Sequence, residues 1–138
     1  MMVQELAALL QRAKTVAVVG ISDKPDRPSY EVAEYLEQYF HMLPVNPALK
    51  SWKGKPCYAS LSEIPVTTKI DIVDIFRRSD LVLPLVEEAI ARPAGLIWLQ
   101  QGVINNDAQK LAMSHAIPFI MDACLAVFHA QIRSRATN

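Results

Sequence analysis

The sequence predicts an α/β fold, with a mostly parallel sheet of about five strands and helices on both of its faces. Three observations predict it. Short apolar runs rich in β-branched residues alternate about five times with segments whose apolar residues recur at helical spacing. The runs lack the polar alternation of a half-exposed strand, so both faces are expected to be buried, as in a parallel sheet. The 138 residues, 51% hydrophobic and 20% charged, suffice for a real core without disulfides or metals. Neither a repeat, a low-complexity tract nor a flexible linker divides the chain, so one domain over residues 1–138 is expected.

Residues 3–13 carry Val3, Leu6, Leu9, Leu10 and Ala13 on one helical face. Residues 15–21 read as the first buried strand. Ser29 is the expected N-cap of a helix over 30–40, with Val32, Ala33, Leu36 and Phe40 as its inner stripe. His41–Val45 is the second strand, stopped by Asn46-Pro47. Residues 50–56 read as loop, 57–58 as a minimal strand, and 61–65 as a helical turn ended by Pro65. Residues 70–76 (IDIVDIF) form the next strand. Asp80 is the expected cap of a helix through Val82, Val86, Ala89 and Ile90, with Pro84 near its first turn. Residues 95–99 are a buried strand, and Asn105 or Asn106 caps a helix over Ala108, Leu111 and Ala112. Residues 117–121 make the last strand and 124–132 a final helix.

The totals exclude several classes of function. Net charge is zero, so no global basic field favours nucleic acid or an anionic membrane. Cys57 and Cys124 form no CxxC pair, and no Cys/His cluster has zinc spacing. A reduced, cytoplasmic chain is the simplest expectation. The start, MMVQELAALLQRAK, lacks the pattern of a signal peptide. No apolar run approaches the roughly 20 residues that span a bilayer.

In a parallel sheet, ligands bind at the carboxyl ends of the strands, near the point where strand order reverses. Four such ends are informative here: GISDKPDRPSY, NPALK, RRSD and QQGVINN. They bring Lys24, Arg27, Lys50, Arg77 and Arg78 to one edge, beside the starts of helices. A cationic rim with free amides at helix N-termini suits phosphate. Ser22, Ser29, Asn46, Gln100, Gln101 and Asn105 add orienting groups. Against this, loop cations are mostly solvated, and only their clustering at strand ends lifts them above that reading.

The first of these loops is not an ordinary dinucleotide turn. GxGxxG needs three glycines, and only Gly20 is present. Asn46-Pro47 stands where an acidic residue would bind a ribose. No GxSxG, HExxH or Walker A pattern occurs. His41, His115 and His129 lie in different elements, and His129 is at i+5 from Cys124, off its helical face. Cys124 follows a strand end, so a ligand-facing thiol and a buried inert one are both open. Asp122, also after a strand, reads as a structural carboxylate before a general base. Trp98, in LIWLQQG, is core by its strand position, yet Gln100, Gln101 and Gly102 beyond it suit a narrow passage for a thin, uncharged arm.

Taken in order, VAVVGISDKPDRPSY, PVNP, GKPCYASLSEIP, IDIVDIFRRSD, IWLQQGVINNDA and IMDAC resemble the CoA-binding domain family of small bacterial and archaeal proteins. That family is similar to the amino-terminal domain of the succinyl-CoA synthetase α subunit. The resemblance runs from about Lys14 to His129. It implies a Rossmann-like three-layer sandwich that binds coenzyme A. It also implies that Gly20, Ser22 and Lys24 meet the phosphates, with Ile21 among the cofactor-binding residues, and that Arg27, Pro28 and Ser29 close the first loop. Val45, Asn46 and Pro47 would border the adenosine. Phe76 and Arg77 would lie along the ligand, and Trp98, Gln100 and Gly102 would bound the pantetheine arm. The synthetase's second domain, with its phosphorylated histidine, has no counterpart here, and neither His115 nor His129 inherits that role.

The first expectation is therefore a protein that binds CoA or acyl-CoA as a small-molecule ligand, without an evident catalytic constellation. Neither nucleic acid nor membrane is expected as a partner, and an unidentified protein partner is left open. The alternative is an acyl-CoA transfer or thioester enzyme using Cys124 or Asp122. A third reading is another nucleotide such as NAD, against which the missing glycines speak.

Overall fold

Helix α1 (Val3–Arg12) opens the fold in the computed structural model, which describes residues 2–136, and it buries Leu6, Leu9 and Leu10. Strand β1 (Thr15–Val19) is buried throughout, as its unbroken apolar run requires. Helix α2 (Pro28–Leu36) leads to β2 (His41–Val45), then to a small hairpin of β3 (Ser51–Trp52) and β4 (Lys55–Pro56). A 3₁₀ turn at Leu61–Glu63 precedes β5 (Ile72–Ile75). After a second 3₁₀ turn, Ser79–Leu81, come α3 (Val82–Ala91), β6 (Leu96–Leu99), α4 (Asn106–Ser114), β7 (Phe119–Ile120) and α5 (Leu125–Ala136).

The main sheet is five-stranded, ordered β2-β1-β5-β6-β7, and every pairing in it is parallel. Period-two alternation then divides the strand side chains between two cores. Val16, Val18, Ile72, Leu96 and Trp98 pack with α1, α2 and α5. Ala17, Val19, Val73, Ile75, Ile97 and Leu99 pack with α3 and α4. This is the Rossmann-like α/β sandwich expected from the sequence. The chain runs from β1 outward to β2, then crosses to β5 on the other side of β1. Strand order thus reverses between β1 and β5, which is where a ligand crevice is expected.

Several element boundaries differ from the sequence expectation. Helix α2 starts two residues early, with Arg27 at the cap position and Pro28 first in the helix. A proline there loses no bond, because the first N–H groups of a helix have no partner within it. Ser29 is therefore no cap; its hydroxyl is buried and accepts the Ser22 N–H at 2.9 Å. Asp80 caps no helix either. It sits inside the 3₁₀ turn and pairs with Arg78 at 3.1 Å. The expected loop at 50–56 is the β3–β4 hairpin, and Tyr58 bridges in parallel to Val45 on the outer edge of β2. Asn105 does cap α4, its side-chain oxygen accepting from Ala108 N–H at 2.9 Å.

One long segment, 61–68, carries little secondary structure, and one side chain holds it at four points. The Arg92 guanidinium donates to the carbonyls of Leu61, Ile64 (2.7 Å), Pro65 (3.1 Å) and Thr68 (3.3 Å). Only a planar fork of donors spans such a set. Arg92→Ala is expected to cost about 2–3 kcal/mol, since bonds to a charged group are worth roughly 1.5–3 kcal/mol and the half-buried carbonyls lose their donor. Arg92→Lys should recover less than half of that loss. Urea unfolding of both variants measures it, and a lysine variant as stable as the parent would mean that the fork geometry is irrelevant.

Two titratable groups lie inside the α1/α2/α5 side of the molecule. His129 on α5 is packed among Tyr35, Tyr39 and Phe40, with its Nδ1 2.8 Å from the Tyr35 hydroxyl. Burial, with Arg133 nearby, pushes its pKa below the ordinary 6.5. Asp74 occupies the middle of β5, in register between Val18 and Trp98, and is fully buried. Among the described residues, neither of its carboxyl oxygens has a hydrogen-bond partner. Burial pushes its pKa well above the ordinary 3.8.

Candidate functional site

Gly20 ends β1 and turns the chain out of the sheet at φ +85°. Its N–H donates to the Val45 carbonyl at 2.8 Å, while Phe76 N–H donates to the Val19 carbonyl at 2.8 Å. The ends of β2, β1 and β5 are thereby laced together at the switch point. A Cβ on Gly20 would stand 2.1 Å from the Phe76 carbonyl oxygen, so no other residue fits without moving a strand.

The loop after Gly20 is short of glycine and is shaped by side chains instead. Asn46 Nδ2 donates to the Ile21 carbonyl at 2.7 Å, and its oxygen accepts from Ala48 N–H at 2.8 Å. Trp52, 1% exposed on the hairpin, donates from Nε1 to the Ser22 carbonyl at 2.9 Å. Ser22 accepts from Lys24 N–H at 3.1 Å. The β3–β4 hairpin therefore serves as a brace for the first loop, and Tyr30 packs on the same indole at 5.2 Å. The sequence reading missed this because the segment's polar and Gly/Pro content reads as loop. The signal was Trp52 itself, a large aromatic in an otherwise solvated stretch.

The remaining strand ends are tied to one another. Ser79 accepts from Ile104 N–H at 3.0 Å, and its carbonyl accepts from Asn105 Nδ2 at 3.0 Å. Gln100 is buried and its Oε1 accepts from Leu125 N–H at 3.1 Å, capping α5. Asp122, at φ +59°, accepts from Gly102 N–H at 2.8 Å. Its carboxylate thus does the structural work its position suggested.

Between these loops lies a cavity of about 830 Å³. That is within the roughly 300–1,000 Å³ of small-molecule sites. It gathers Gly20, Ser22, Lys24, Arg27, Pro28, Ser29, Asn46, Phe76, Arg77 and Gln100 from the sequence-predicted set, together with Arg78, Gln101 and Cys124. Glu31, Val32 and Val103 also line it and were not expected there from the sequence, which put Val32 on the inner stripe of its helix. Among the described residues, no carboxylate pairs with Lys24, Arg27 or Arg77, whereas Arg78 is held by Asp80. The first turn of α2 borders the same space, so the positive end of its dipole adds to the three cations.

Seven expected site residues do not line the cavity, Lys50 and Asn105 among them. Ile21 and Val45 are buried in the sheet layer, and Pro47 is exposed beyond the Asn46 turn. Trp98 is fully buried, with its indole N–H donating to the Ala123 carbonyl at 2.8 Å, so it supports the wall from behind. Gly102 stands in an open turn outside it. No histidine lines the cavity. Among the described residues no group of His, Cys, Asp and Glu could hold a metal ion, and no helix is long and apolar enough to cross a membrane.

A family model described as CoA binding domain matches residues 14–130 of the chain. The uncharacterized protein YneT of Bacillus subtilis (strain 168) is 39% identical over 127 residues, covering 91% of this chain and 93% of its own length. Among solved structures, cell-free ID.343 from Thermus thermophilus is 37% identical with a TM-score of 0.89, covering 96% of this chain and 99% of that one. A hypothetical protein from Pyrococcus horikoshii OT3 is 32% identical with a TM-score of 0.90, covering 96% and 93%.

Proposed function

The chain belongs to the CoA binding domain family, and on that premise we propose that it is a CoA or acyl-CoA binding protein whose ligand lies in the cavity across the carboxyl edge of the sheet. The observation that supports this most is the polarity of that cavity. Lys24, Arg27 and Arg77, unpaired among the described residues, stand with the start of α2 and the single carboxylate Glu31 toward the ends of β1 and β5, whereas uncharged Gln100, Gln101 and Cys124 follow the ends of β6 and β7. CoA has the same division, with phosphates at one end and a long neutral arm at the other. Phosphate oxygens accept strongly from Lys and Arg, and the arm gains from shelter rather than charge.

In this reading Gly20, Ser22 and Lys24 meet the diphosphate, while Arg27, Pro28 and Ser29 close over it. Asn46 borders the adenosine and also fixes the loop from below. Phe76 and Arg77 flank the ligand, and Gln100 stands beside the arm. In this reading the protein holds the ligand, and the lining carries one thiol, Cys124, and one carboxylate, Glu31.

Calorimetric titration with CoA, dephospho-CoA and pantetheine tests the proposal. Lys24→Ala and Arg27→Ala should each weaken CoA by about three- to tenfold, the range for exposed charge-assisted bonds. Pantetheine, which has no phosphate, should be unaffected by either change. Equal losses for both ligands would place the loop at the wrong end of the ligand, and no heat with CoA at hundreds of micromolar would end the proposal. The presence of Cys124 in the lining favours thioester chemistry as a second reading. Thioester turnover that disappears in Cys124→Ala would establish it.

A further inference from the structure

Beyond Cys124 the space does not end. A second recess, of about 410 Å³, shares Gln101 and Cys124 with the main cavity and continues past them between Asp122 and the outer side of α5. Its surroundings change in kind. Lys and Arg are absent from its lining, Val127 and Phe128 supply apolar surface, and Asp122 is its only charged group. Phe128 is held in place by packing on the buried Trp98 at 5.8 Å. The recess is therefore a formed, weakly acidic, partly apolar annex at the end of the cavity farthest from the phosphate cations.

From this continuity we infer that the annex receives the acyl group of a CoA thioester, and that it selects short, uncharged acyl chains over those ending in a carboxylate. The inference rests on the CoA reading of the main cavity and adds a ligand class to it. From the end of β1 to the end of β7 the sheet steps across three strand spacings, roughly 14 Å at about 4.8 Å each. An extended pantetheine arm anchored by its phosphates at Lys24 and Arg77 covers such a span and brings its sulfur to Cys124. Whatever the sulfur carries then points past Cys124 and Gln101. Val127 and Phe128 reward methylenes there, while the Asp122 carboxylate opposes a second negative charge. No lysine or arginine lines the annex to offset that charge.

The test compares CoA with acetyl-, butyryl- and succinyl-CoA by calorimetry on the full chain. Affinity should rise by about twofold for each methylene up to butyryl, since the annex is open on one side and full burial would give about fourfold. Succinyl-CoA should bind no tighter than CoA. Val127→Trp fills the annex, and within that variant the ratio of butyryl-CoA to CoA affinity should fall to near one. Asp122→Asn keeps the acceptor for Gly102 and suits the left-handed backbone, so it should narrow the difference between butyryl- and succinyl-CoA by about threefold or more. CoA binding with no gain for butyryl-CoA, a gain that survives in Val127→Trp, or succinyl-CoA equal to butyryl-CoA in the parent chain would each overturn the annex alone. Failure of CoA itself to bind would overturn the underlying reading and the annex with it.

Discussion

Gly20→Ala is expected to destabilise the protein by at least about 3 kcal/mol, a large share of the roughly 5–15 kcal/mol that holds a domain together. Two separate costs combine. An alanine at φ +85° pays roughly 1–2 kcal/mol for the left-handed backbone alone. Its Cβ would also stand 2.1 Å from the Phe76 carbonyl oxygen, an atom of backbone that cannot rotate away. Relief requires β1 and β5 to part at the point where Val19 and Phe76 are bonded. Gly54 provides the control, with φ +80° and nothing within 4 Å of its Cβ position. Gly54→Ala should cost only the backbone share, about 1 kcal/mol. Urea unfolding of the two variants separates strain from overlap, and similar losses in both would show that the Gly20 contact relaxes freely.

Asp74→Asn is expected to stabilise the protein, and increasingly so as pH rises. In the unfolded chain this aspartate ionises near 3.8, while in the fold burial keeps its proton on to a much higher pH. Between those two values the folded protein binds the extra proton, so stability falls with rising pH by up to about 1.4 kcal/mol per unit. Below 3.8 both states are protonated and the penalty vanishes. The amide has nearly the same shape and no ionisation, so the two proteins should match near pH 4 and diverge steadily in favour of the variant as pH rises above it. His129 acts with the opposite sign: its lowered pKa withdraws stability as pH falls below 6.5. That contribution is common to both proteins and cancels in the difference. Parallel pH profiles of the urea midpoint would show that Asp74 is ionised in the folded state.

Neither Gly20 nor Asp74 announces its energetic role in the sequence, and the reason is the same. Both depend on which strands become neighbours. The sheet itself was legible, because buried parallel strands leave unbroken apolar runs and helices leave their spacing. The cavity was legible to the extent that strand ends supply it, which is why Lys24, Arg27, Arg77, Arg78 and Gln100 were placed beside it by position alone, though Lys50 was not. What escaped was set by contacts distant in sequence. Trp52 reads as a loop residue until it is seen bonded to Ser22, thirty residues earlier. Ser29 reads as a helix cap until its hydroxyl is seen to hold the first loop instead. Trp98 reads as core from its strand and as ligand wall only through the family resemblance; strand alternation sends its ring into the core with Ala123 as partner.

The bridge between β2 and Tyr58 bears on how copies of this chain behave in a crowded solution. An open sheet invites another molecule's strand wherever its rim shows unused amides and carbonyls. Along β2, Tyr58 donates to the Pro44 carbonyl at 3.0 Å and accepts from Asn46 N–H at 2.9 Å, and Pro44 has no amide to offer. At the opposite rim β7 pairs through only two residues, too short a template for a foreign strand. Both margins of the sheet are thus poor templates for strand addition, and heated or concentrated protein should resist fibrillar aggregation until the 57–58 segment is displaced.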